Sequence, residues 1–341
     1  MLKRKKDKNS MKVDMIYKKI LLYGFLASLF FSSTFAINKF LNVDTGGHWY
    51  WTASLRYIYV FILLNAIILF KSGYRDLKET YKCFLKNIHF WLFAGGIGFG
   101  VFYLSLCYAA SFSDGWVLAS TWQTTILFTP FVLYLLGEKV NLKGIYFLLL
   151  MFVGVVCINS YAFDSFDSNL ANSIIPIIIA AFSYPLGNSL CKYASEGKYK
   201  KLSVSNYEVS RKPLNQILLM VLGALPIIGL MGWGVQPTEP TNEQFLYIII
   251  VAILTGVFAT FFLYKARSYA NEDANALAFA DGTQALESPL ALFWGYLFFN
   301  EELPNFLGIV GLVFLTLGMY LFYTKSIKND AYLKKGYEAS R

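Results

Sequence analysis

The sequence predicts an all-α polytopic membrane protein with ten transmembrane helices in two inverted five-helix repeats. Three observations carry that expectation: ten separate apolar runs, basic residues confined to alternate loops, and one residue order that recurs in both halves. Of 341 residues, 56% are hydrophobic and 15% charged, against about 25% charged in ordinary soluble domains. The mean hydropathy is +0.48. This excludes disorder and a soluble enzyme of this length. A spanning helix needs about 20 apolar residues, so ten spans need about 200, which the chain can supply.

The spans follow in order. Ile20–Ile37, Trp49–Phe70, Ile88–Ala110, Trp116–Leu136 and Gly144–Tyr161 form the first five. Ile174–Leu190, Pro213–Trp233, Phe245–Tyr264, Ala274–Phe299 and Phe306–Tyr323 form the second five. Charge, Gly, Pro or Asn bounds each one. Strands of a barrel would alternate over about 10 residues, which these runs do not. Helices satisfy their own backbone in lipid. The first run has a basic lead and a weak cleavage-like Thr34-Phe35-Ala36, but its apolar stretch exceeds a signal peptide's, so it reads as a retained span. The chain thus divides into a basic tail (1–19), a first repeat (20–161), a second repeat (162–325) and a basic tail (326–341). The polar, basic loop Lys192–Lys212 is expected to be a connector with weak attraction for anionic lipid.

Twenty-eight of the 30 Lys and Arg residues fall on one side of this topology. Only Lys39 falls on the other, and Arg56 lies inside span two. The opposite loops carry Asp44, Asp114, Asp164, Asp167, Glu239, Glu243, Glu301 and Glu302. The positive-inside rule then puts both termini in the cytoplasm, in a multi-pass protein of the plasma (inner) membrane. The net charge of +9 is accordingly a topology signal and excludes nucleic acid as a partner. Cys83, Cys107, Cys157 and Cys191 lack CxxC spacing and read as small hydrophobes. His48 and His89 form no metal or catalytic cluster, and no metal is expected.

Asp114 and Asp273 are 159 positions apart, as are Pro130 and Pro289. Glu138 and Glu302, Gly144 and Gly308, and Gly154 and Gly318 are each 164 apart. One five-residue insertion reconciles the offsets. A unit of five spans makes the second copy enter the membrane upside down. Inverted repeats are a transporter architecture, with the site near the midplane between repeats.

Ten spans in two repeats, Ser54-Leu55-Arg56-Tyr57 in span two, a Pro in spans four and nine, and Gly137-Glu138 closing span four resemble the drug/metabolite transporter superfamily. More narrowly they resemble its EamA-type branch and the related multidrug resistance efflux transporters. The resemblance covers about residues 20 to 325. Span nine departs from the pattern by ending in Asn300-Glu301-Glu302, and the Lys192–Lys212 loop is long. The resemblance implies export of small metabolites or drugs, often coupled to protons.

Ionisable groups inside spans cost about 2.5–3.5 kcal/mol each on insertion scales. Arg56, Asp281 and Glu287 are the three well inside. On one continuous α-helix, Asp281, Gln284 and Glu287 share a face about 120° wide, with Glu287 near the middle of its run. Pro289 frees the Ala285 carbonyl and is expected to kink the helix. A carboxyl kept from water holds its proton until a cation replaces it. Glu287 is thus the candidate exchanging group and Asp281 its cytoplasmic assistant; an internal strut with Arg56 as partner is the competing role. Arg56 lies about 10 Å from the outer end of its span at helical rise, and either pairs, snorkels or binds a substrate carboxylate. Trp122 and Gln123 in span four and Ser33 and Thr34 in span one are candidate pocket residues, though hydroxyls often bond their own helix. Gly96 and Gly100, and Gly311 and Gly318, are expected at close helix contacts. The run Gly95–Gly100 follows no strand and lacks a Lys-Ser/Thr ending, so it is no phosphate loop. Pro176, Pro185 and Pro226 predict kinks.

The expected function is secondary active export of small organic solutes, drugs or metabolites, coupled to protons, by alternating access about the midplane. An uncoupled or exchange-type permease for amino-acid-like metabolites is the alternative, with a channel or scramblase further off. No cofactor and no enzymatic chemistry are expected. The partners are the solute, protons and the bilayer, and an oligomer is not required.

Overall fold

A computed structural model describes residues 2–137, 145–158, 168–197, 205, 207–270 and 274–322. Glu138, Gly144, Asp164, Asp167, Asp273 and the tail 326–341 lie outside them. Every apolar run anticipated above is helical over most of its described part, and no strand occurs among the described residues. The helices are α1 (Leu2–Lys39), α2 (Trp49–Lys86), α3 (Ile88–Ala109), α4 (Gly115–Trp122), α5 (Thr125–Leu135), α6 (Ile145–Ile158), α7 (Ser168–Glu196), α8 (Pro213–Val235), α9 (Asn242–Tyr269), α10 (Ala274–Gly282), α11 (Glu287–Phe299) and α12 (Phe306–Leu321). Six stretches are long and apolar enough to cross a membrane: α1 from Met15 with the turn that follows it, α2, α3, α7 from Ala171, α8 and α9. α6 and α12 are shorter, and the runs at 116–136 and 274–299 are broken in two.

Local chemistry sets the helix ends. His48 Nδ1 accepts the Tyr50 N–H at the start of α2, and burial pulls the His48 pKa down, which suits a neutral acceptor. Pro213 opens α8, where its missing N–H costs nothing. Thr241 and Gln244 form a capping box at α9. Asn305 caps α12. α2 kinks at Gly73, whose backbone is non-helical at φ +84°, three residues past the anticipated end at Phe70, and the chain continues beyond it as a second helical stretch to Lys86.

Apolar clusters from α1, α2, α3, α7, α8 and α9, and from α1, α4, α5, α6, α10 and α12, fill the interior. α1 runs against α9, α11 and α4. The exterior is apolar too: Leu230, Trp233, Leu246, Tyr146 and Phe306 are exposed, a surface that hydrocarbon covers at no cost. α6 and α12 pack backbone to backbone, where a Cβ on Gly311 would lie 2.5 Å from the Gly154 carbonyl; Gly318 likewise faces α6, as anticipated. On α3 the expected pair Gly96 and Gly100 face α8, near the Gly223 and Ala224 carbonyls, and Gly95 and Gly98 make the closest backbone approaches. A Cβ on Gly98 would lie 2.7 Å from Gly187 Cα, and one on Gly95 would strike the Met220 carbonyl. Gly96 meets the flexible end of Ile227, and Gly100 has ordinary contacts. A π-helical segment, Gly96–Val101, runs through this contact. The cysteines are free, and all but Cys157 are buried.

Candidate functional site

A narrow cleft lies in the centre of the bundle. α1 supplies Phe31, Thr34 and Phe35; α2 supplies Arg56; α3 supplies Phe102 and Tyr103. Trp122 closes it from the end of α4, Tyr184 from α7, and Gln284 and Glu287 from the opposite wall. The cleft holds about 10 Å³, room for about one water. A second lobe of similar size continues past Arg56 to Gly256 and Thr260 on α9.

The two ionisable groups in it are buried and unmatched. Arg56 is 4% exposed and Glu287 1% exposed. The Arg56 guanidinium lies 4.0 Å from the centre of the Tyr103 ring, and its Nε–H has no acceptor. Among the described residues no carboxylate reaches within 4.0 Å of it. Glu287 Oε1 has no donor; the side chains of Gln284 and Trp122 lie within hydrogen-bonding reach of its carboxylate. Gln284 Oε1 and the Tyr184 hydroxyl, both on the cleft, are also buried without partners. Such orphans are rare in folded proteins, and a group of them around one cleft marks a ligand or water site.

The backbone explains why these groups meet. The run 274–299 is not one α-helix: Thr283–Leu286 is a 3-10 turn between α10 and α11. Residues three apart eclipse one another in such a turn, so Gln284 and Glu287 face the cleft together. Pro289 is the third residue of α11, where an N–H has no intrahelical partner to lose. The expected kink at Pro289 is therefore a break upstream of it. The opposing run breaks likewise, between Trp122 and Thr125. Ser288 Oγ donates to the Ala119 carbonyl at 3.2 Å, tying α11 to α4, and Ser28 Oγ donates to the Thr283 carbonyl at 2.9 Å, tying the 3-10 turn to α1.

Asp281 stands apart. It pairs with Arg267 of α9 through contacts of 3.2 and 3.3 Å, both residues being 4% exposed. Arg56 is not its partner. Arg267, counted above as a loop charge, lies inside α9. Ser33 Oγ returns to its own helix at Phe30 O, 2.8 Å. Gln123 donates to Ala119 O of its own segment and does not line the cleft. Thr34 bonds the Tyr103 hydroxyl at 3.1 Å, and that hydroxyl donates to Asn38 Oδ1 at 3.2 Å. Phe102 and Tyr184 were not singled out, because in a chain with 18% aromatics nothing separates pocket rings from packing rings.

Glu301 is the residue that polarity hides. It was expected in a solvated loop, yet it is 4% exposed. Asn300, in the left-handed region at φ +51°, turns the chain so that Glu301 N–H reaches Gly295 O. The carboxylate then accepts from Gly115 N–H at 3.0 Å and Trp116 N–H at 3.4 Å, capping α4. Asp114, the residue preceding that helix, makes no such bond. Burial pushes the Glu301 pKa up, and the two N–H donors offset part of that rise.

Among the described residues no three His, Cys, Asp or Glu side chains converge on a metal position. A family model for the EmrE multidrug resistance efflux transporters matches residues 18–328. Two bacterial relatives are similar in sequence. The uncharacterized protein YjlA of Bacillus subtilis is 28% identical over 320 residues, covering 89% of this chain and 94% of that one. An uncharacterized 42.1 kDa protein of Shouchella clausii is 30% identical over 280 residues, 79% of this chain and 70% of that one. One solved crystal structure is similar at a TM-score of 0.57 and 12% identity, covering 92% of this chain and 97% of that one; it speaks to the fold alone. A match over that span, on a chain whose described residues are helical with an apolar exterior, makes the chain a member of the EmrE multidrug resistance efflux transporter family.

Proposed function

We propose that the protein is a secondary active exporter of small organic solutes, built of ten spans in two inverted repeats that alternate access to the central cleft. The carrying observation is that Glu287 and Arg56 are both buried on one cleft without ionic partners. A buried carboxylate left alone is unstable in low dielectric. Glu287 holds a proton when the site is empty and yields it to a cationic group of the solute. Trp122, Gln284 and Thr34 position that solute, and the aromatic walls cover its apolar part. The unpaired Arg56 favours a second reading, exchange of amino-acid-like metabolites whose carboxylate it receives.

Two pairs of features support the repeat. The runs at 116–136 and 274–299 both break near their middles. Spans three and eight both contain a π-helical segment, Gly96–Val101 and Ala252–Ala259. The basic loops face the cytoplasm in this reading.

The test is proton release from purified protein on adding cationic drugs and amino acids, with binding measured separately. Wild type is expected to release protons and Glu287→Gln to bind without release. Equal release by both refutes the role of Glu287. Saturable counterflow in proteoliposomes separates a carrier from a channel.

A further inference from the structure

A half-open cavity of about 480 Å³ lies between α7, α9 and the turn Tyr207–Arg211. Its volume falls within the roughly 300–1,000 Å³ of small-molecule sites. Lys192, Ser195, Arg211, Tyr264 and Arg267 line it, with Asn188 at its floor. Among the described residues Glu196 is the one carboxylate in the lining, and it pairs with Lys192 at 3.6 Å. Arg267 is held from behind by Asp281. Arg211 donates its Nε–H to Ser195 O at 3.2 Å and lies over the Tyr207 ring. Among the described residues Arg211 is thus the lining cation with no carboxylate within 4.0 Å, and an oxyanion fits it.

The cavity also leads somewhere. On α7, Asn188 lies one turn from Tyr184; on α9, Tyr264 lies one turn from Thr260. Tyr184 and Thr260 line the central cleft, whereas Asn188 and Tyr264 line this cavity. One layer separates the two spaces, the Tyr264 hydroxyl donating to Asn188 Oδ1 at 2.7 Å. Beyond that layer waits Arg56, the buried cation without an ionic partner.

We propose that this cavity is a loading site for a small solute bearing a carboxylate or phosphate, taken up by Arg211 and Lys192 and passed along the α7–α9 seam to Arg56 when the Tyr264–Asn188 contact opens. The assignment rests on the export reading and narrows it to solutes with an oxyanion. Arg267 gives the site its coupling: an anion that draws on its guanidinium competes with Asp281, the residue that ties α9 to α10 and the Glu287 turn.

The experiment is equilibrium binding to the full chain in nanodiscs of zwitterionic lipid, with radiolabelled glutarate as probe and inorganic phosphate and neutral glutaramide as competitors. Saturable glutarate binding that phosphate displaces and glutaramide does not is expected. Arg211→Gln is expected to weaken it at least tenfold, and Arg211→Lys to weaken it less, since Lys keeps the charge without the planar fork. Arg211 is exposed, so neither change threatens folding, and monodisperse elution checks this. Absence of saturable binding, or equal binding by wild type, Arg211→Gln and Lys192→Gln, overturns the proposal. Loss of glutarate binding when phosphatidylglycerol replaces the disc lipid assigns the cavity to lipid headgroups and also overturns it. No gradient is present in this assay, so a negative result leaves proton exchange at Glu287 standing, and failed transport leaves the binding result standing.

Discussion

A single methyl group at Gly256 is expected to disturb the floor of the Arg56 site. Gly256 lies in the π-helical segment of α9, against Val60 of α2. A Cβ there would overlap Val60 Cγ2 and stand 3.7 Å from Arg56 Nε. Val60 is 1% exposed and β-branched, so it has no free rotamer to retreat into. Overpacking of this kind costs about 1–3 kcal/mol. Val60→Ala alone removes two methyl groups, about 1.6 kcal/mol at about 0.8 per carbon, plus a cavity term. If the sites were independent, the double variant would lose about 3–4 kcal/mol. Because Val60→Ala removes the atom that the new methyl strikes, the double variant is expected to lose only about 1–2 kcal/mol, a coupling of at least about 1 kcal/mol. Denaturant unfolding in mixed micelles, followed by tryptophan fluorescence, measures all three variants. Additivity to within about 0.5 kcal/mol would refute the reasoning. Solute binding should follow the same cycle, lost in Gly256→Ala and partly restored in the double variant.

Asp281→Asn leaves Arg267 buried without its counter-charge and is expected to destabilise the protein by about 3–5 kcal/mol, with Arg267→Gln in the same chain recovering part of the loss in the unfolding assay. Gly311→Ala is expected to force α6 and α12 apart, since the new Cβ would meet the Gly154 carbonyl at 2.5 Å; a midpoint equal to wild type would contradict the packing. The Glu301 strap should be pH-dependent. Its carboxyl is pushed above the ordinary 4.5 by burial, so the docked form binds a proton more readily than the undocked form. Docking is then strongest below the ordinary range and weakens as pH rises through the docked-state value. Asp114 adds to that rise and Lys39 opposes it. Maleimide labelling of Leu303→Cys, divided at each pH by that of the denatured chain to remove the thiol's own titration, should therefore increase from about pH 5 to about 8 in wild type, whereas the same ratio with Glu301→Gln should be flat.

The helical framework was legible because apolarity, charge and span length are local properties. Trp122, Thr34, Arg56, Gln284 and Glu287 were also legible, since polar groups in hydrocarbon are costly enough to need a purpose. What stayed hidden depends on backbone detail or on distant partners. Nothing in Thr283–Leu286 distinguishes a 3-10 turn from an α-turn by composition, yet that turn separates Asp281 from Glu287. Arg267 carries the same charge as its loop neighbours, and only the approach of α10 makes it a buried partner. Glu301 sits in Asn300-Glu301-Glu302, which reads as solvated. The four orphan N–H groups that any helix start leaves at α4 were a signal that some acceptor must arrive, but not that it would come from 186 residues away.

The glycine contacts of α3 set a mechanical condition on any change of access. Where Gly98 meets Gly187 and Gly95 meets the Met220 carbonyl, main chain rests on main chain. The ends of Met220 and Ile227 pack beside these contacts, but the main-chain approach itself leaves no slack, so α3, α7 and α8 are expected to travel as one rigid body. Relative motion is then left to seams filled by movable side chains, such as the Phe30, Phe258 and Phe262 rings between α1 and α9. A crosslink across α3 and α8 should be silent in transport, and one across α1 and α9 should arrest it.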